Sequence, residues 1–244
     1  MPLKRLRLSS ATTQAVEALR TALANGEYAP GTRLFEETIA NELGTSRIPV
    51  REALAMLVAQ GLLERQQRSV LVPSLNTTDV EELYLGRAVL ESLLYERAGP
   101  RIRDVDVAKL ERVESSLEAA SSGDSLKDLA LHNRTFHFTI LERGGLPMIC
   151  GLVGQLWDRT SYYRAYFWLE ESHRSTTIAE HRLIIDACKD RDGKQLVALH
   201  HQHRLAMELA HPRWLASQAG GPSDVDADAD GGSDRHQSQG RVRT

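Results

Sequence analysis

Apolar residues recur at helical spacing along most of this chain. Ala15, Val16, Leu19 and Leu23 mark a first helix, which Asn25-Gly26 ends. Pro30-Gly31 predicts a turn. Phe35, Ile39, Ala40 and Leu43 form the face of a second, short helix stopped by Gly44. Ser46 is positioned to cap a third, its hydroxyl accepting from a first-turn amide. Pro49 falls in that same turn, where a missing N–H costs little. Val50, Leu54, Leu57 and Val58 supply the buried stripe, and Gly61 stops the helix. Two short strand-like runs, 62–65 and 70–72, then flank residues 66–69, and Pro73 closes the unit.

From Asn76 to about His211 the pattern is helical again. It predicts helices over about 77–98, 103–121, 124–143, 146–171, 174–190 and 192–211, punctuated by Gly99-Pro100, Gly123-Asp124, Gly144-Gly145 and Asp192-Gly193. Amphipathic helices with short connections pack as an antiparallel bundle. The expected fold is therefore mainly α. A winged helix-turn-helix (residues 1–75) precedes an antiparallel six-helix bundle (76–213). Residues 214–244 are rich in Gly, Ser and Asp, bury too little apolar surface to offset their ordering entropy, and are expected to be a disordered tail.

Composition narrows the class. With 41% hydrophobic and 26% charged residues, the chain has the make-up of an ordinary globular protein. No apolar run approaches the ~18–20 residues that span a bilayer, and the basic first ten residues lack the apolar core of a secretory signal. A cytoplasmic protein is expected, with Cys150 and Cys188 as small buried residues rather than a disulfide. The net charge is −3, so the whole chain does not advertise a polyanion partner. Residues 1–75, however, carry nine Lys and Arg against seven Asp and Glu. So small an excess means that any nucleic-acid contact depends on the placement of a few arginines.

Those arginines sit where a helix-turn-helix needs them. The second helix of the motif enters the major groove by its N-terminal turn, and here that turn holds Thr45, Ser46, Arg47 and Arg51. Arg47 and Arg51 are four apart and project from one side. A guanidinium fork suits the O6/N7 edge of guanine or a phosphate. Thr45, Ser46 and the free amides of the helix start suit phosphate. Taken alone, the spacing also fits a small helical domain with solvated surface arginines.

In the second domain polar residues interrupt the buried stripes. Asn133 and His137 lie four apart in the stripe of Leu129, Phe136 and Ile140. His181 lies among Ile178, Ile184, Ile185 and Cys188, and His200 and His203 lie with Leu196, Leu199 and Met207. If the chain reverses near Arg191, His181 and His203 come level on neighbouring antiparallel helices at ~1.5 Å rise per residue. Asn133 and His137 then complete a set of three imidazoles and an oxygen donor, which suits a divalent transition metal such as zinc or nickel. His200 is the rival ligand. The alternative is that each histidine is a hydrogen-bonded core residue. Arg87 lies in the stripe of Val80, Leu83, Tyr84, Leu90 and Leu94 and faces the bundle interior. Glu91, one turn on, is either its internal partner or leaves it to meet a ligand. The aromatic run Trp157, Tyr162, Tyr163, Tyr166, Phe167 and Trp168 reads as core or dimer packing, with a share in walling a pocket.

The run PGTRLFEETIANELGTSRIPVREALAMLVAQGLLE, and within it Ser46-Arg47-x-Pro49-Val50-Arg51-Glu52-Ala53-Leu54, resembles the DNA-binding domain of the GntR family of bacterial transcription regulators. The resemblance implies that Arg47 and Arg51 contact operator DNA with Thr45 and Ser46 beside them, and that Arg33 meets phosphate. The family's wing has a glycine near its tip, where this chain has Arg68-Ser69. A tip without glycine takes φ > 0 less easily, and Arg65 and Arg68 remain its phosphate candidates. The second domain is similar to the FCD-type sensing domain of the FadR branch, in its shorter, VanR-like, six-helix form. The matching pieces are Arg87-x3-Glu91, Asn133-x2-Phe136-His137, Glu180-His181-Arg182, and Asp192 followed by His203. Many members hold a metal with an aspartate and three histidines at the floor of an effector pocket. Here Asn133 replaces the aspartate.

That replacement leaves the charge of a bound ion unneutralised, which weakens its retention and favours an anionic ligand. A small carboxylate is the expected effector, and Arg87 an expected contact. The reading is a DNA-binding regulator, a repressor docking as a homodimer on a double-stranded operator, and not an enzyme. The alternatives are a metal-dependent hydrolase in a helical bundle and a regulator that binds its effector without metal. Against the hydrolase, there is no HExxH motif, and Glu180 points about 100° away from His181 on a helix.

Overall fold

The computed structural model describes residues 10–24, 26–67, 69–123, 125–161 and 167–219. The first unit comprises α1 (Ser10–Ala24), β1 (Arg33–Leu34), α2 (Glu36–Glu42), α3 (Arg47–Ala59), β2 (Glu64–Gln66) and β3 (Ser69–Leu71). One core joins them: Val16, Leu19 and Leu23 of α1 meet Ile39 of α2, Val50, Leu54 and Leu57 of α3, and Leu34 and Val70 of the sheet. Removing these side chains from water contributes ~25 cal/mol per Å² of apolar surface.

The sheet has the order β1-β3-β2, all antiparallel. β1 does not show in the sequence pattern. Its two residues are too few for an alternation, and it exists because Arg33 and Leu34 pair with Leu71 and Val70. The wing hairpin forms without a glycine, since Gln67 takes the left-handed conformation at φ 52°. Ser46 occupies the N-cap of α3 in extended conformation but makes no side-chain capping bond. Its hydroxyl is therefore not spent on the helix.

The second unit is a bundle of α4 (Thr77–Ala98), α5 (Asp104–Ser121), α6 (Leu126–Leu141), α7 (Pro147–Arg159), α8 (Glu171–Asp190) and α9 (Gly193–Ala219). Asn76 and Asp79 start α4 with a capping box. At the α8–α9 reversal Arg191 is left-handed (φ 56°), and Asp192 Oδ1 caps α9 by accepting from Lys194 N at 2.9 Å and Gln195 N at 3.0 Å. The ends of α4 and α9 touch backbone to backbone: a Cβ on Gly193 would stand 2.2 Å from the Glu96 carbonyl oxygen. That contact sets the register of α4 against α9, and so of Arg87 and Glu91 against His200 and His203.

Two element ends differ from the pattern. The helix expected over 146–171 is interrupted at Thr160: α7 ends at Arg159, and Ser161 and Phe167 are again helical. The Thr160 hydroxyl donates to Trp157 O (3.0 Å) and Leu156 O (3.3 Å), and that of Ser161 to Asp158 O (2.6 Å), so side chains satisfy carbonyls that helix continuation would have used. Of the aromatic run, Trp157, Phe167 and Trp168 are buried, while Tyr162, Tyr163 and Tyr166 lie outside the described residues. At the other end, α9 passes Pro212 and reaches Ala219, beyond the boundary at 213. One missing N–H is tolerated where good helix formers such as Leu215 and Ala216 follow. Residues 220–244 lie outside the described residues, as does Arg68. Both cysteines are free; Cys188 is buried and Cys150 half-buried.

Candidate functional site

The N-terminal turn of α3 stands proud of the first unit. Arg47 and Arg51 are largely exposed on it, with Thr45 and Ser46 just before and Arg33 exposed on the edge strand β1. A residue not singled out from the pattern organises them. Glu36, in the first turn of α2, accepts from Arg51 Nε at 2.9 and 3.0 Å and from Nη2 at 2.8 Å, and lies 3.8 Å from Arg47 Nη2. These hydrogen bonds from Arg51, more than its charge, hold the Glu36 carboxyl below its usual range. The signal in the sequence is an acid in the first turn of the helix preceding the basic one.

In the bundle, α6, α8 and α9 bring His137, His181 and His203 together. One ring nitrogen from each lies within 4.8 Å of the others. All three are buried. Each Nδ1 has a partner 2.7 Å away: the Tyr95 hydroxyl for His137, Glu114 Oε2 for His181 and Glu180 Oε2 for His203. With the Nδ1 atoms engaged outward, the Nε2 atoms turn inward. Those of His137 and His203 stand 3.2 Å apart, and that of His181 is buried with no hydrogen-bond partner among the described residues. Asn133, one turn before His137 on the same face of α6, is also buried, and its Oδ1 has no partner among the described residues. Two nitrogens bound to a tetrahedral zinc at ~2.0–2.1 Å would be roughly 3.3 Å apart. Three imidazole donors within 4.8 Å of one another, one pair of them already at that spacing, and two orphaned buried atoms fit a metal. Carboxylates behind metal-binding imidazoles orient the rings and raise their basicity.

Burial holds His137 and His181 well below the ordinary imidazole range, with neighbouring rings adding to the effect, so both are neutral. Burial also lifts Glu114 to about 8, helped by Glu118 and opposed by Arg182. Neither Glu114 nor Tyr95 is singled out by the pattern as a partner. Glu114 is detectable as a carboxylate between Leu110 and Leu117 in the inward stripe of α5. Glu180 points away from His181, as helix geometry requires, and it reaches His203 on the next helix.

His200 belongs to a different network. Its Nε2 is 3.2 Å from Glu91 Oε2, and its ring stacks on Tyr95 at 4.1 Å. Glu91 in turn accepts from Arg87 Nε at 2.8 Å, so the internal pairing of Arg87 is formed. Burial acts to raise the Glu91 carboxyl, but the Arg87 charge and His200 outweigh it and hold the group at about 2. The Arg87 guanidinium carbon lies 4.2 Å from the centre of the Trp157 ring, a cation–π contact, and Trp157 in turn is 5.2 Å from the His137 ring. Of the remaining histidines, His201 is exposed, and His132 and His173 are half-buried.

A basic helix-turn-helix with a wing, joined to a helical bundle with polar groups at its centre, defines a two-domain transcription regulator. The chain belongs to the GntR family of bacterial regulatory proteins: the gntR family model matches residues 11–71, and the FCD domain model matches 82–206. It is similar to the HTH-type transcriptional regulator McbR of Escherichia coli, 29% identical over 75% of this chain and 84% of that protein. It is also similar to the gluconate operon transcriptional repressor of Bacillus subtilis, 25% identical over 89% of this chain and 92% of that one. A solved structure of E. coli McbR/YncC superposes with a TM-score of 0.77, covering 87% of this chain and all of that one at 25% identity. These relatives are regulators rather than enzymes, and the hydrolase alternative is not favoured. Among the described residues no helix is long and apolar enough to cross a membrane.

Proposed function

We propose that this chain is a cytoplasmic repressor whose grip on a double-stranded operator is set by a small carboxylate bound in a metal-containing bundle. The DNA-contacting set is Arg33, Thr45, Ser46, Arg47, Arg51 and Arg68. Exposure of the two α3 arginines at a helix N-terminus supports it, as does the Ser46 hydroxyl, which makes no capping bond. The working division is a DNA-binding unit to residue 75, a sensing unit from 76 to 213, and a tail beyond.

The metal ligands in this reading are Asn133, His137, His181 and His203, holding zinc or nickel. The single observation that carries it is the convergence of three inward Nε2 atoms, each backed by a fixed Nδ1. When bound, the ion supplies a Lewis-acidic anchor for an anion. The protein's own groups do the rest: the outer hydrogen bonds fix the rings, and the neutral Asn133 leaves the ion's charge for the effector. Arg87 is the second anchor, a buried cation beside Trp157 and next to the cluster.

The reading includes a homodimer. Leu85, Val89 and Leu93 form an exposed apolar stripe on α4, and Met148 and Leu152 another on α7, which packs beside it. Exposed stripes of this kind mark interfaces, and a two-fold dimer matches two operator half-sites. The test is elemental analysis of chelator-treated protein resupplied with zinc or nickel, with operator binding measured in both states. Protein that holds no metal at neutral pH would refute the metal-containing site and leave a polar, metal-free pocket.

A further inference from the structure

The last turn of α7 faces two ways. Trp157 and Thr160 belong to the bundle interior: the Trp157 ring lies beside His137 and Arg87, and the Thr160 hydroxyl accepts from Arg87 Nη1 at 3.3 Å. Asp158 and Arg159, between them in sequence, reach the DNA-binding unit. Asp158 Oδ2 accepts from Arg20 Nη1 of α1. Arg20 Nη2 donates to Gln60 Oε1 at 2.6 Å, at the end of α3. The other carboxylate oxygen, Oδ1, accepts from Arg134 Nη2 at 3.2 Å, and Arg134 follows Asn133 on α6. Arg159 lies against Gly61, where α3 stops.

This clamp crosses a cleft rather than a packed interface. Cavities of about 600 and 420 Å³ lie between the two units, and Arg20, Arg134 and Asp158 line both. Trp157 lines the smaller one, so a single ring separates it from His137. Asp158, only 18% exposed, is shared between two cations, Arg20 at 28% and Arg134 at 40%, beside cavities that leave both side chains room to move. It can therefore be rearranged by small shifts of the turn that carries it, and two discrete arrangements are what a coupling element needs.

We propose that Asp158 is the joint through which the bundle interior acts on the DNA-binding unit. A ligand that meets Arg87 or the histidine cluster must press on Trp157 or Thr160. Those residues share a helical turn with Asp158, so the carboxylate shifts between Arg134 and Arg20. Moving Arg20 moves α1 and, through Gln60, the end of the recognition helix α3. The inference rests on the proposed effector site only for what displaces the turn.

The test compares wild type, Asp158→Asn and Arg20→Met, each measured for operator affinity after chelator and again after zinc. The wild type should differ between the two states by about 5- to 150-fold, the usual span of allosteric coupling. Both variants should take up zinc normally and lose that difference. Variants that keep the full response overturn the proposal. If zinc is not taken up, or leaves wild-type operator affinity unchanged, the effector-site reading fails and hydrogen exchange without metal decides the joint. Asp158→Asn should then lower protection both in α1 around Arg20 and in α6 around His137. A change confined to α1, or none, overturns it.

Discussion

Arg51 and Glu36 form a two-pronged ion pair at the tip of the DNA-binding unit, each carboxylate oxygen within 3.0 Å of a guanidinium nitrogen. The pair is exposed, so it contributes little to stability. Its consequence is geometric. It holds the guanidinium of Arg51 in one plane beside Arg47, and it offsets part of the charge that would otherwise attract any phosphate backbone.

Glu36→Gln should therefore strengthen binding to random DNA and steepen its salt dependence, because phosphate contacts release counterions. Discrimination in favour of the operator should fall. Fluorescence anisotropy on operator and scrambled duplexes at several salt concentrations measures both effects. Equal discrimination in variant and wild type would leave Glu36 with no role in recognition.

Arg47→Ala and Arg51→Ala should each weaken operator binding by about 1–3 kcal/mol, the worth of one bidentate pairing with a base, in protein that stays folded. Circular dichroism and a footprint on the same preparations check this. Unchanged affinity in both variants contradicts the assignment of α3 as the recognition helix.

For the cluster, His181→Ala and His203→Ala should lower metal content and remove the stabilisation that bound metal confers by mass action. His200→Ala should affect metal content much less, because His200 pairs with Glu91. Glu180→Gln, behind His203, should weaken metal binding by about 10- to 100-fold, the usual effect of losing an outer partner. Asn133→Asp should tighten the metal and weaken an anionic ligand. Calorimetric titration of zinc into chelated protein reads the metal affinity of every variant; equal losses in His200→Ala and His203→Ala would undo the proposed ligand set.

Glu91→Gln leaves Arg87 buried beside a neutral partner, a change that typically costs about 3–5 kcal/mol. The carboxyl is held at about 2 in the folded protein, below its unfolded value near 4.5. Its contribution is therefore fully present above pH ~5 and is lost as pH falls toward 2. Urea unfolding should show wild type and variant far apart at pH 7, the gap narrowing below pH ~4.5 and closing only as pH approaches 2. A gap that persists at low pH argues against the ion pair as its source.

Val89→Glu puts a charge in the middle of the exposed α4 stripe. It should convert a dimer to a monomer on light scattering and weaken operator binding, since one winged helix covers one half-site. A variant that remains dimeric moves the interface elsewhere.

Much is legible in the sequence because it depends on near neighbours along the chain. Helical periodicity exposes the recognition helix and the placement of Arg47 and Arg51. It also reveals the polar residues lodged in apolar stripes: Arg87, Asn133, His137, His181 and His203. Counting ten residues back and twelve on from the turn at Arg191 brings His181 and His203 nearly level, and their ring centres do lie 4.9 Å apart. The partners of these groups are not legible, because they come from elements far away in sequence. Glu114 is 67 residues from His181, and Asp158 is 138 from Arg20. Periodicity reports which face a residue occupies, but not what the facing helix presents to it. The choice between His200 and His203 turns on the same thing. Both lie on the inward side of α9, and only the packing of α4 gives His200 to Glu91 while α8 gives His203 to Glu180. The two-residue strand β1 and the end of α7 at Thr160 follow the same logic, since pairing to β3 and hydroxyl-to-carbonyl bonds decide them where local propensity is silent. Spacing thus determined the helices and which polar residues face the interior, and the motif's resemblance to a family the kind of protein, while tertiary packing determined which polar atoms found partners and which were left facing one another.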